Sequence, residues 1–339
     1  MEIQSDPLER VYFFNTYWDA LEEHGFQAAI LHSWQDFPER IGSDVDYVVS
    51  AGTTRHVVAF LAEFARKHGW RLVQVIEHEP GAYYCVCVQC GGGFQQLDLD
   101  VTDDYQRIGH HLISSHDLLR DKRCVPGKNF NVPSPGAELC YIIAKAAAKK
   151  KVYSEVFQRA DELVNEDLKA CRDTCSRIFN IDLSNIPNSE EGMLIWLEKW
   201  FRDARFFQPI RKGRRIRLSS LLLYLRRIIR PTGLWLSIKS DINSSICNEV
   251  SNLLAPLYRR VCCVETSSLP GWLARFKLVI QTSLIVEAQS SKQAVKSSLC
   301  SWGRLGTDGN DPDVKCMILE EMAMRIEKSF GVNIDSSNK

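Results

Sequence analysis

No stretch of this chain stays apolar for long. None approaches the roughly 20 residues that a membrane-spanning helix needs, and the opening MEIQSDPLER is polar where a secretory leader would turn apolar. Both absences point to a cytoplasmic protein with no membrane span. Cysteine spacing of the kind that builds disulfide frameworks or zinc sites is missing as well. Twelve cysteines are scattered through 339 residues, and no second C-x-x-C or H-x-x-H follows Cys85, Cys87 and Cys90, so they read as reduced, buried thiols. All eight histidines lie before residue 117, a bias for which the sequence offers no reason. Net charge is zero, with 42 Lys and Arg against 42 Asp and Glu.

That balance conceals a division. Residues 1–125 hold 19 acidic and 10 basic side chains, which leaves 23 acidic and 32 basic for the rest. An acidic first part suits a cation-dependent site; a basic second part suits an anionic partner or docking against the first. The periodicity predicts a helix over 7–24, a strand over 27–31, a strand after Asp44, a helix over 53–68, and strands over 70–77, 83–89 and 94–101. A proline- and glycine-rich segment, 124–136, marks a boundary. Helical pattern then runs from Ala137 to about Phe179 and again over 193–207.

The stretch LHSWQDFPERIGSDVDYVVS, 31–50, concentrates the chemistry. Asp44 and Asp46 alternate with Val45 at the start of a β-prone run, so on a strand their side chains share a face. Like charges so placed repel unless a cation lies between them, and magnesium takes hard oxygen ligands of this type. The later run Gln96-Leu97-Asp98-Leu99-Asp100-Val101 again puts two acids on one face. Either would complete a carboxylate triad; the alignment of the acidic segment that follows points to Asp100, while the polar-apolar lead-in points to Asp98, the one favoured here. His110, His111 and His116, in a loop or helix start beyond it, are candidate phosphate or acid-base groups, although surface histidines of this kind are common.

Together, the small-residue turn His32-Ser33-Trp34, the D-x-D of Asp44-Val45-Asp46 and the acid on a later strand resemble the signature of the DNA polymerase β-like nucleotidyltransferase superfamily. The family's glycine pair is not intact here, and only Ser33 is small. The helix opening VPSPGAELCYIIAKAAAKKK is similar to the segment that follows this core in bacterial proteins of surface-polysaccharide gene clusters. Its matching positions are Glu138, Lys145 and Lys149. The resemblance implies an α/β protein: a nucleotidyltransferase core with a mixed sheet in 1–125, a helical middle in 126–227, and a C-terminal α/β domain in 228–339. It implies transfer of an NMP from an NTP to an acceptor hydroxyl or phosphate, with a sugar or other small molecule among the acceptors. Asp44, Asp46 and Asp98 or Asp100 would hold two Mg2+ (or Mn2+) ions, and Ser33, Gly42, Ser43, Lys145 and Lys149 would meet the triphosphate.

The C-terminal segment from Pro231 resembles the strand before a P-loop in thymidylate-kinase-like domains, but Lys239 to Cys247 reads KSDINSSIC. The glycines and the P-loop lysine are gone, Ser245 standing in the lysine's place, which excludes ordinary phosphate wrapping there. The domain is expected to serve as a scaffold, a dimer surface or an acceptor-binding part. The run Arg211 to Arg230 carries eight basic residues and could meet nucleic acid. Its stripe Leu221, Leu222, Leu225 and Ile228 points instead to a helix packed on its own protein. An alternative from another class is a catalytically inactive binding or regulatory protein on the same fold; retention of the acids argues against it.

Overall fold

A computed structural model describes residues 7–41, 44–89, 95–107, 110–149, 154–202, 223, 234–239, 260–265, 283–289 and 314–332. The chain divides into two compact units, Met1–Leu218 with Ser329–Asn333, and Ser219–Lys328 with Ile334–Lys339. The expected α/β part, 1–125, and residues 126–218 of the expected helical middle therefore lie within one unit.

The first unit opens with α1 (Pro7–Glu23), β1 (Ala28–Ile30), β2 (Val45–Val49), α2 (Thr54–Lys67), β3 (Trp70–Glu79), β4 (Ala82–Gln89) and β5 (Gln95–Thr102), the order expected from periodicity. The sheet runs β1-β2-β5-β4-β3. It is mixed: β2 and β5 are parallel, and the other neighbours are antiparallel. β5 alternates between buried and half-buried residues along QQLDLDVT, as a strand with one apolar face must. Leu97, Leu99 and Val101 are buried and share their face with Val45, Tyr47 and Cys85 through the strand register.

Buried aromatics and aliphatics of α1 and α2, among them Phe13, Tyr17, Val57, Leu61 and Phe64, complete this core. Phe13 and Tyr17 each lie 5.3 Å from Phe64, centroid to centroid. The hydroxyls of Tyr17 and Tyr47, both buried, satisfy each other at 2.9 Å, which avoids the cost of a lone buried polar group.

Beyond β5 the chain makes two small hairpins, β6 (Tyr105–Arg107) with β7 (His110–Ile113), and β8 (Arg123–Cys124) with β9 (Asn131–Val132), with α3 (Ser115–Leu119) between them. The segment expected as a loop at His110 is thus a strand, and the segment expected as a boundary holds the second hairpin. Helices α4 (Pro135–Lys149), α5 (Ser154–Glu166), α6 (Leu168–Phe179) and α7 (Glu190–Arg202) follow. They bury Leu139, Ile143, Leu163, Cys171, Phe179 and Met193 in a second core that also takes in Ala29 and Val48 from the sheet. Gly136 lets α4 and α6 approach: a Cβ there would lie 2.5 Å from Thr174 Oγ1.

In the second unit, β10 (Leu234–Lys239) and β11 (Arg260–Glu265) flank β12 (Ser283–Gln289), all parallel, which requires crossover connections as in α/β folds. α8 (Val314–Phe330) ends the described chain. The segment Lys239 to Cys247, apart from Lys239 itself, and the basic run at 211–230, apart from Leu223, lie outside the described residues. Among the described residues no helix is long and apolar enough to cross a membrane. Cys85 and Cys87 are buried free thiols, as expected; Cys90 lies outside the described residues.

Candidate metal and phosphate site

Asp44 and Asp46 stand at the start of β2, and Asp46 is the register partner of Asp100 on the parallel strand β5. In-register residues of adjacent strands project to the same face. The pairing therefore brings carboxylates 54 positions apart in sequence side by side. Carboxylate oxygens of Asp44, Asp46 and Asp100 lie within 4.8 Å of one another. Of the two acids that β5 offers, Asp100 is the one in this cluster. Asp98 lies two residues earlier, where the Gln96 amide donates to it at 2.7 Å and the Tyr84 hydroxyl hydrogen-bonds it.

Protein side chains bond Asp46 and Asp100. Lys145 Nζ donates to Asp46 Oδ2 at 2.7 Å, and His32 Nε2 bonds the same oxygen. Burial works to raise the pKa of Asp46, but these two partners outweigh it and hold the carboxyl well below its usual range. Asp100 Oδ1 pairs with His78 Nε2 at 2.9 Å. Here burial prevails, with the Asp46 and Asp44 charges adding to it, and the Asp100 pKa is raised. Asp98 is raised for the same first reason, with Asp44 contributing.

His32 and His78 were not among the residues singled out from the sequence. His32 lies in the turn after β1, and the antiparallel pairing of Ile30 with Tyr47 carries it back to Asp46. Its place inside the HSW turn was the available signal. His78 had none, because it sits on β3, two strands from β5. A bulge between the Glu77–Tyr83 and Glu79–Ala82 pairs contains it, and bulges re-aim side chains.

The turn itself is built without the glycine pair. Ser33 adopts φ 55°, the left-handed region that normally falls to glycine and costs another residue about 1–2 kcal/mol. Its hydroxyl bonds His32 Nδ1 at 2.8 Å. From α4, Glu138, Tyr141 and Lys145 project along one face, as their spacing of three and four requires. Tyr141 stacks on His32 with centroids 5.8 Å apart, and Lys145 Nζ lies 5.5 Å from the Tyr141 ring centre. The Lys149 side chain, Gly42 and Ser43 lie outside what the structure describes.

Among the expected histidines, His111 bonds Asp104 at 3.0 Å and His116 is exposed on α3; neither is in the carboxylate cluster. The donor set of that cluster, three carboxylates on adjacent strands, has the hard oxygen chemistry that Mg2+ and Mn2+ select. Compared with protein-family models, with curated proteins and with solved structures, the chain finds no match.

Proposed function

We propose that this chain is a metal-dependent nucleotidyltransferase that moves an NMP from an NTP to an acceptor hydroxyl or phosphate. The observation that carries this reading is the meeting of Asp44, Asp46 and Asp100 across the parallel pair β2 and β5. When bound, Mg2+ neutralises the triphosphate and stabilises the charge that develops on the transferred phosphoryl group. Asp44, Asp46 and Asp100 would hold it. His32 and His78 each fix one oxygen of a carboxylate. Lys145, which pairs with Asp46, would meet the triphosphate, and Ser33 lies on the turn before the D-x-D strand. Asp100 would also help to accept the proton of an incoming hydroxyl. Catalysis rests on positioning and charge, with no covalent intermediate on the chain.

One observation favours a second reading, a silent binding or regulatory protein: Lys145 and His32 partly neutralise Asp46 without any metal. Calorimetry of each NTP with Mg2+, in wild type and in Asp44→Ala/Asp46→Ala, separates the two. Magnesium-dependent NTP binding that the double substitution abolishes supports the enzyme and justifies an acceptor screen with labelled NTP. Absence of binding to every NTP overturns the enzyme reading.

A further inference from the structure

Trp34 follows the left-handed Ser33 and is gripped from three sides. Its indole N–H donates to Glu138 Oε2 at 3.2 Å. The Arg159 and Arg123 guanidinium carbons lie 5.0 and 5.7 Å from its ring centre, within cation–π reach. Glu138 is fully buried and is held by a two-pronged contact from Arg159, Nε at 2.8 Å and Nη2 at 3.0 Å. Arg159 also pairs with Glu162, and Arg123 with Glu166.

Two arginines against three glutamates make this cluster a poor anion site, so phosphate recognition by its guanidiniums is excluded on charge. What remains is a clamp, and its position gives it a task. On one side of Ser33, His32 is tied to Asp46; on the other, Trp34 is tied to Glu138. A non-glycine residue stays in the left-handed region only where its surroundings over-determine it, and these two anchors do so. The remainder of the turn is anchored separately, through Phe37 against Phe14 and Phe130 and through Glu39 with Lys128 at 2.8 Å.

We propose that Trp34, clamped by Glu138, Arg159 and Arg123, is the positioning residue of the phosphate-side turn, holding Ser33 in the conformation that a glycine pair would otherwise supply for NTP binding. This rests on the nucleotidyltransferase reading. It assigns Trp34 no contact with Asp44, Asp46 or Asp100, so loss of the clamp should separate NTP affinity from metal affinity.

The experiment measures Mn2+ binding alone, and ATP, GTP, CTP and UTP binding in the presence of Mn2+, by calorimetry on full-length wild type, Trp34→Ala and Trp34→Phe, with circular dichroism to verify folding. The expected result for Trp34→Ala is at least a tenfold loss of NTP affinity with Mn2+ affinity within twofold of wild type. Trp34→Phe keeps a ring between the arginines but loses the N–H donor, and should fall between the two; it decides the matter if Trp34→Ala does not fold. A folded variant with unchanged NTP affinity overturns the positioning role and leaves the nucleotidyltransferase reading standing. Equal loss of Mn2+ and NTP affinity reduces Trp34 to general structural support and also overturns it. Wild type that binds no NTP overturns both.

Discussion

Asp46 and Asp100 face each other in register across two parallel strands, yet they sit in opposite electrostatic states. Asp46 is held ionised by Lys145 and His32, which outweigh its burial, whereas Asp100 is burdened by burial and by the neighbouring acids. A divalent cation placed between them would relieve Asp100 and strengthen the pair.

Asp100→Asn should therefore stabilise the metal-free protein while destroying its response to metal. Asparagine keeps an acceptor for His78 and removes the repelling charge. The gain expected is about 1 kcal/mol, roughly 3 °C in Tm for a unit of this size. Wild type, with Mn2+ at a hundred times its dissociation constant, should gain about 2.7 kcal/mol, and Asp100→Asn almost none. Thermal denaturation with EDTA and with Mn2+ reads both effects. An Asp100→Asn variant that still responds fully to Mn2+ would remove Asp100 from the site.

Ser33 offers a test of the turn through stability alone. Ser33→Gly removes the steric cost of φ 55° and should stabilise by about 0.5–1 kcal/mol, less whatever its hydroxyl bond to His32 contributes. Ser33→Val adds β-branching in the left-handed region and should destabilise by about 2 kcal/mol. Urea denaturation of the pair distinguishes them by sign; equal effects would mean that the turn relaxes when its side chain changes.

The central relationship was legible because it depends on period-two alternation, the most local of structural rules. Asp44 with Asp46, and Asp98 with Asp100, declare their shared faces within three residues of sequence. Choosing between Asp98 and Asp100 needed the register of β2 against β5, a long-range pairing that no short window contains. His78 was hidden for the same reason, compounded by a bulge. Glu138 and Lys145 were noticed through a family resemblance, but the grip of Glu138 on Trp34, 104 positions away, exists only once α4 lies against the β1 turn. The helical elements were legible in outline. Their common packing with the sheet was not, because a proline-rich segment that looks like a domain boundary folds instead into the β8–β9 hairpin.

Away from the acidic face, Asp104 predicts a pH dependence. Burial works to raise its pKa, but bonds from His111 and from the Ser115 backbone N–H, the latter at 2.8 Å, prevail and hold it below its usual range. A carboxyl with a depressed folded-state pKa contributes stability above its unfolded value and loses it as pH falls through the folded value. Asp104→Asn should therefore cost about 1–2 kcal/mol at neutral pH. That difference should shrink as the pH drops below the ordinary carboxylate range. A difference from wild type that stays constant from neutral to acid would assign the effect to packing rather than charge.

Gly136 supplies the last prediction, on the contact that carries α4 and with it Glu138, Tyr141 and Lys145. A methyl group there would meet Thr174 Oγ1 at 2.5 Å and Thr174 Cβ at 2.8 Å, as well as the Ala170 carbonyl oxygen. The carbonyl belongs to the backbone of α6 and cannot swing aside, so Gly136→Ala must push the helices apart. Overpacking of this kind costs about 1–3 kcal/mol, and the shift would pass to Lys145 near the far end of the helix and so to its contact with Asp46 on β2. Gly136→Ala should thus lower both stability and Mg2+-dependent NTP affinity, whereas Gly136→Ala/Thr174→Ala, which removes the Thr174 Oγ1 that the new methyl would meet, should recover part of each. Recovery of stability without recovery of NTP affinity would show that α4 does not set the position of Lys145.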